Sequence, residues 1–324
     1  MRINFVESEF APLKRVVLAQ SQFYIPEEEG ALETNFLSES NHNLFENKFG
    51  DVADLYPEMQ NKWDKEKENM EQLLTAYGVE VLRPRKLTDY EKALGKETGQ
   101  GYANFFSRDP FFTVGPLLIE GNLRFPHRRL EILPMRNILL AESNHVEALY
   151  LAAPQPDTSQ GAHSETGPFL EGGDVLVYGK TIFVGYSGLA SNLNGILWLK
   201  ALLAHWDYEV VPVRLHPDIL HLDCALSLVR EGLMIYCEEA FLDGIPEVLT
   251  SWDKITISLK EASLLMANGL PINESVYVTD QSFTTLIESL ESYGMKVETL
   301  DYEISRIFGG SFRCTTQALL RVNR

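Results

Sequence analysis

The sequence predicts an α/β fold built from repeated modules around a shared centre. Three observations predict it. An amphipathic helix that runs through a turn into a strand recurs at residues 73–82, 202–211 and 290–300. Hairpin signals precede or separate these copies, so the repeating order is hairpin, helix, strand. The chain has 324 residues, 45% hydrophobic and 23% charged, which is enough to bury a sizeable core as one fold over 1–324.

The elements follow in order. Residues 13–20 are rich in strand formers and fit a first module. Residues 110–120 read as a hairpin turning at Gly115-Pro116, and 174–185 as one turning at Gly179-Lys180. A third hairpin, 224–237, turns at Arg230-Glu231-Gly232. Hairpins are antiparallel, so a parallel doubly wound sheet is not favoured. Two segments stand apart. Residues 24–48 are acidic and turn-rich and read as a flap. Residues 154–167 are rich in Gly, Ser and Pro and read as a surface loop, with a lid over the site as the alternative.

Composition excludes several functions. A net charge of −18 opposes nucleic acid and anionic membrane surfaces. Three cysteines (Cys224, Cys237, Cys314) are too few for a disulfide framework and point to a reducing, cytoplasmic setting. The N-terminus carries no signal-peptide pattern, and no apolar run approaches ~20 residues. Among seven histidines there is no His-x-x-x-His, no Cys-x-x-Cys accompanies them, and Pro217 separates His216 from His221. No phosphate-cradling glycine loop is present. The expectation is therefore no metal and no cofactor. Self-association is left open.

The chemistry lies where hairpins begin. Asp109 precedes Pro110-Phe111-Phe112, Glu171-Gly172-Gly173-Asp174 opens the second hairpin, and His221-Leu222-Asp223 opens the third. Cys314 follows Gly309-Gly310 and precedes residues 315–320. If the modules are related by rotation, these positions converge. The result is a thiol, an imidazole and several carboxylates around one point. That set suits attack on a guanidinium carbon. A guanidinium is a planar fork of donors that carboxylates hold bidentately. Asp109, Glu171 and Asp223 are the candidates to orient it. Cys314 is the candidate nucleophile and His221 the candidate acid/base.

At these residues the chain resembles the guanidino-modifying enzymes of the pentein fold: arginine deiminase, dimethylarginine dimethylaminohydrolase and the amidinotransferases. The matching motifs are Arg108-Asp109-Pro110-Phe111, Glu171-Gly172-Gly173-Asp174-Val175-Leu176, His221-Leu222-Asp223, and Gly309-Gly310 followed by Cys314. The resemblance implies a five-bladed α/β propeller of pseudo-symmetric ββαβ modules and no cofactor. It implies Cys314 as nucleophile, His221 as acid/base, Asp109, Glu171 and Asp223 as guanidinium binders, and Asp174 as a motif residue for substrate or structure.

Two positions depart from the family pattern. Arg313 stands where relatives often carry His. Residues 187–192 lack the arginine with which hydrolases of the family hold a substrate carboxylate, leaving Arg128, Arg129 and Arg313 as candidate clamps. The Glu-Gly-Gly-Asp motif favours a hydrolase, because amidinotransferases tend to carry an aspartate with alanines there. The leading expectation is a cysteine-dependent amidinohydrolase acting on arginine or a related guanidino compound. The alternative is an amidinotransferase using an amine acceptor. A non-catalytic binding protein of the same fold is the remote third.

Overall fold

Five three-stranded sheets each pair their middle strand antiparallel on one side and parallel on the other, and in four of them a helix delivers the parallel strand. The computed structural model describes residues 4–26, 48–160 and 166–322. In blade I the last strand, Thr316–Arg321, pairs antiparallel with Leu13–Leu18; helix Pro57–Ala76 then leads to Glu80–Leu82, parallel to it. Blade II is Phe111–Val114, Leu117–Glu120, helix Arg136–Ser143 and Leu149–Ala152. Blade III is Val175–Tyr178, Thr181–Tyr186, helix Leu193–Leu203 and Glu209–Arg214. Blade IV is Leu226–Arg230, Leu233–Tyr236 and Asp253–Thr256, joined by two short 3-10 turns instead of a helix. Blade V is Leu270–Asn273, Val276–Asp280, helix Thr284–Ser292 and Lys296–Leu300.

The chirality of the chain explains the joints. The residue that turns each of the three recurring helices toward its strand is left-handed: Gly78 (φ 73), Asp207 (φ 58) and Gly294 (φ 81). Aspartate is among the few residues with a side chain that tolerate this region.

The first strand of each blade is its inner one. Thr316–Arg321 and Phe111–Val114 are buried along their whole length, whereas the parallel strands Leu149–Ala152 and Lys296–Leu300 are partly exposed. Neighbouring blades touch in order round the ring. The first strands of I and II pack together, as do those of IV and V, and Leu13–Leu18 packs on Leu270–Asn273. A bridge between Asn122 and Leu170 joins II to III, and Val175–Tyr178 meets the turn Leu222–Cys224 of blade IV. The chain's last strand completes its first blade, so the five modules close into a ring, the pentein propeller.

The acidic segment at 24–48 is only partly described. Tyr24 and Ile25 belong to a strand, Gln22–Ile25, in a small antiparallel sheet with Gly50–Asp51 and Tyr102–Asn104 that the sequence pattern did not reveal. Residues 27–47, which carry most of the expected flap, and 161–165, within the expected loop, lie outside the described residues. No described helix is long and apolar enough to cross a membrane.

Leu319 tests the closure. It is fully buried in the last strand and packs with Val17, Phe111 and Leu118 across blades I and II. Leu319→Ala should lower the unfolding free energy by about 2–5 kcal/mol in urea denaturation. A loss below about 1 kcal/mol would contradict a packed closing strand.

Candidate active site

The turns that lead into the inner strands meet at the centre of the ring. Asp109 lies just before Phe111–Val114, Glu171 and Asp174 before Val175–Tyr178, His221 and Asp223 before Leu226–Arg230, and Cys314 before Thr316–Arg321. Blade V contributes Asn268 from the equivalent place before Leu270–Asn273. Sequence reasoning missed Asn268. Its signal was positional, at the same station in the fifth module.

The structure gathers Asp109, Glu171 and His221 so that one ligand atom from each lies within 4.8 Å of the others. His221 Nε2 is 2.8 Å from Glu171 Oε2, and its Nδ1 is 3.8 Å from Asp109 Oδ1. Glu171 Oε1 accepts from the Arg124 N–H at 2.8 Å, and Asp109 Oδ1 from the Gly173 N–H at 2.9 Å. On the other side, Cys314 Sγ lies 3.8 Å from Asp223 Oδ2. Five of these groups (Asp109, Glu171, His221, Asp223 and Cys314) are buried. Phe23, Phe105, Phe106, Phe308 and Trp63 pack around Cys314 as an apolar wall.

The Cys314 loop is held from outside itself. Ser107 Oγ donates to the Thr315 carbonyl at 2.9 Å, the Arg108 N–H to that of Cys314 at 3.2 Å, and Arg108 Nε to that of Arg313 at 3.2 Å. Asn268 Oδ1 accepts from the N–H groups of Ser311 (3.2 Å) and Cys314 (3.1 Å). These bonds fix the backbone on both sides of the thiol.

The paired glycines of Glu171-Gly172-Gly173-Asp174 are required by space. A Cβ on Gly172 would lie 2.0 Å from the Arg108 carbonyl oxygen. One on Gly173 would lie 2.7 Å from both the Asp109 carboxylate and the His221 ring. Only bare backbone lets the acid and the imidazole approach this closely.

The other expected substrate contacts all have partners inside the protein. Asp174 accepts from the N–H groups of Leu222 (3.0 Å) and Ser191 (3.2 Å), so its carboxylate clasps the His221 turn. Arg313 is spent inside the protein, on Glu9 (3.1 and 3.2 Å), Asp223 Oδ2 (2.7 Å) and the Val175 carbonyl (2.7 Å). These bonds make it a brace under the site. Arg128 is likewise committed, to Glu131 at 2.8 and 2.9 Å and to Asp109 at 2.8 Å, with Glu171 at 3.5 Å. Arg129 reaches the carbonyls of Arg124 (2.9 Å) and Leu123 (3.4 Å). Glu9 and Glu131 were not anticipated. Glu131 shows in sequence only as an i+3 partner of Arg128.

Buried charge sets the protonation states. Burial alone would push His221 down, but Asp109, Glu171 and Asp174 hold it up at about 10. Burial would raise Asp109, yet His221, Arg128 and the Gly173 N–H keep it low. Burial raises Asp174 to about 7. Burial also pushes the Cys314 thiol up, and Asp223 and Asp109 push it further. The resting site therefore pairs a protonated imidazole with a neutral thiol. Asp109, Glu171 and His221 stand close enough to share a cation, but the Arg128 guanidinium already supplies the compensating charge.

Two measurements test this arrangement. His221 is raised in the folded state, so its contribution is full below about pH 6.5, its ordinary value, and is lost as pH rises through about 10. The unfolding free energy of wild type relative to His221→Asn should therefore shrink steadily between those limits; a constant difference contradicts the charged imidazole. Glu9→Leu leaves the buried Arg313 short of compensation and should lower stability by about 3–5 kcal/mol in denaturant titration. A near-neutral effect would remove Arg313 as the brace.

Comparison with known proteins identifies the family and the fold. Residues 33–321 match the sequence model of the family described as N,N dimethylarginine dimethylhydrolase, eukaryotic. The chain is 29% identical over 275 residues to inosamine-phosphate amidinotransferase 1 of Streptomyces griseus, covering 78% of each protein. Its fold matches that of SxtG, an amidinotransferase from Microseira wollei in a saxitoxin biosynthetic pathway, with a TM-score of 0.78 at 20% identity over 99% of this chain and 98% of that one. It also matches DDAH from Pseudomonas aeruginosa, with a TM-score of 0.66 at 16% identity over 95% and 99%. With five blades, a central cluster of Cys, His and carboxylates, and a family match over most of its length, the chain belongs to the N,N dimethylarginine dimethylhydrolase family, within the guanidino-modifying enzymes of the pentein superfamily.

Proposed function

We propose that this enzyme moves the amidino group of a guanidino compound through a covalent bond to Cys314, and passes it to an amine. The observation that carries the proposal is the thiol beside Asp223 and within the influence of Asp109, facing a site with a protonated His221. Carboxylates that suppress a thiolate become useful when the substrate is itself a cation.

The steps follow from charge. A guanidinium bound by Asp109 and Asp223 offsets the two carboxylates that hold the thiol neutral. The thiol then loses its proton to water, and the thiolate adds to the central carbon to form a C–S bond. His221 gives its proton to the departing amine as the C–N bond breaks. A cationic amidino thioether remains. The incoming amine adds to the same carbon, neutral His221 takes its proton, and cleavage of the C–S bond restores the thiolate. Asp109, Asp223 and the braced Cys314 loop supply orientation.

The amine acceptor is supported by the relatives. The Streptomyces griseus amidinotransferase aligns over 78% of the chain, and SxtG overlays more closely than DDAH. Glu171-Gly172-Gly173-Asp174 and the family match favour a second reading, in which ammonia or dimethylamine is the group that leaves, the rest of the substrate stays on the thioether carbon, and water then attacks that carbon, as in a deiminase or dimethylaminohydrolase. Arginine with and without glycine or another amine separates the two. Without an acceptor a transferase releases at most one equivalent of ornithine per enzyme and turns over only when the acceptor is present, whereas citrulline formed continuously without an acceptor establishes the hydrolase. Cys314→Ala should abolish either outcome. His221→Ala should lose ~10²–10⁴-fold in turnover. Unchanged turnover in either variant contradicts the assignment.

A further inference from the structure

Lys67 is a fully buried lysine that the chemistry above leaves unused. It lies on helix Pro57–Ala76 of blade I. Its Nζ donates to Ser305 Oγ at 2.7 Å and to Tyr302 Oη at 3.3 Å, and sits 4.6 Å from the centre of the Tyr302 ring. Tyr302 Oη is 3.0 Å from Thr315 Oγ1, and Thr315 follows Cys314 in the chain. The hydrogen-bonded path therefore runs from the ammonium to the residue next to the proposed nucleophile.

The surroundings let that charge act at a distance. Trp63, 5.9 Å below the ammonium, belongs to the same apolar cluster as Cys314, Phe106 and Phe308. Hydrocarbon between two charges screens them poorly. The neighbouring Glu66 shares the Ser305 hydroxyl with Lys67 and is its strongest charged partner. Its oxygens accept from the N–H groups of Ile304 (2.6 Å) and Ser305 (3.0 Å) and from the Ser305 hydroxyl (2.6 Å).

We propose that Lys67 is a positioning residue for Cys314: an ammonium behind the nucleophile that stabilises the thiolate through the aromatic wall and the Tyr302–Thr315 link. The proposal rests on the reading of Cys314 as nucleophile. The charged groups that act on Lys67 are Glu66, Asp64, Arg83 and Cys314, and those on Cys314 are Asp223, Asp109 and Arg313. Burial lowers Lys67 to about 7; Glu66 opposes this most, Arg83 adds to the lowering, and Cys314 and Asp64 act with Glu66. Ammonium and thiolate thus favour each other. The thiolate that forms when a guanidinium binds keeps Lys67 protonated, and Lys67 keeps the thiolate.

The test is the pH dependence of Cys314 alkylation by 2-chloroacetamidine, followed by intact mass, with thermal unfolding measured in parallel. Lys67→Met should move the alkylation midpoint up by about one pH unit, and Lys67→Arg should keep it near wild type. A folded Lys67→Met protein with the wild-type midpoint overturns the proposal, because a purely structural lysine would change the unfolding temperature alone. Should Lys67→Met not fold, Tyr302→Phe takes its place. It cuts the link while keeping the charge, and should raise the midpoint by a smaller amount; no rise overturns the proposal. Absence of alkylation at Cys314 in wild type at any pH is a different outcome, and refutes the nucleophile instead.

Discussion

One buried ion cluster holds the centre of this ring together. Arg313 bonds Glu9, which precedes blade I, Asp223 of blade IV and the Val175 carbonyl of blade III. A guanidinium this deep is tolerated only when its donors are met, and its carboxylates only while it stays. Asp223 Oδ2 accepts from Arg313 at 2.7 Å and lies 3.8 Å from Cys314 Sγ, so the brace fixes the carboxylate against the thiol. Arg128 does the same on the opposite side for Asp109 and Glu171, with Glu131 fixing its fork. Two internal guanidiniums thus organise carboxylates around a space suited to a third.

The consequence is a site at rest until a cation arrives. Negative charge and burial together keep the thiol protonated, and three carboxylates keep the imidazole charged. In the proposed mechanism a bound guanidinium changes the first condition without disturbing the second, so that nucleophile and acid become available together. In the role proposed for it, Lys67 adds an ammonium outside the carboxylate cluster that the thiolate helps to keep protonated.

Much of this was legible in the sequence. The recurring helix, turn and strand gave the modules, and the position of Asp109, Glu171, His221 and Cys314 before inner strands gave their convergence. Asn268 occupied the same station but is an amide, so a search for reactive groups passed over it. Glu9 and Lys67 were not legible, because each matters through contacts across more than two hundred residues of chain, with Arg313 and with Ser305 and Tyr302. Arg313 drew notice as a departure from the family pattern and a candidate clamp, while its bonds to Glu9, Asp223 and the Val175 carbonyl come from parts of the chain far away in sequence. Blade IV hid its crossover because 3-10 turns replace a periodic helix.

The account stands on a covalent bond between substrate carbon and Cys314. The most direct measurement is an acid-quenched intact mass taken within the first turnover, with arginine and no acceptor, followed by peptide mapping. The account predicts one amidino group added to the protein, on the peptide carrying Cys314. Product formed at the full rate from protein that never carries this adduct would contradict it.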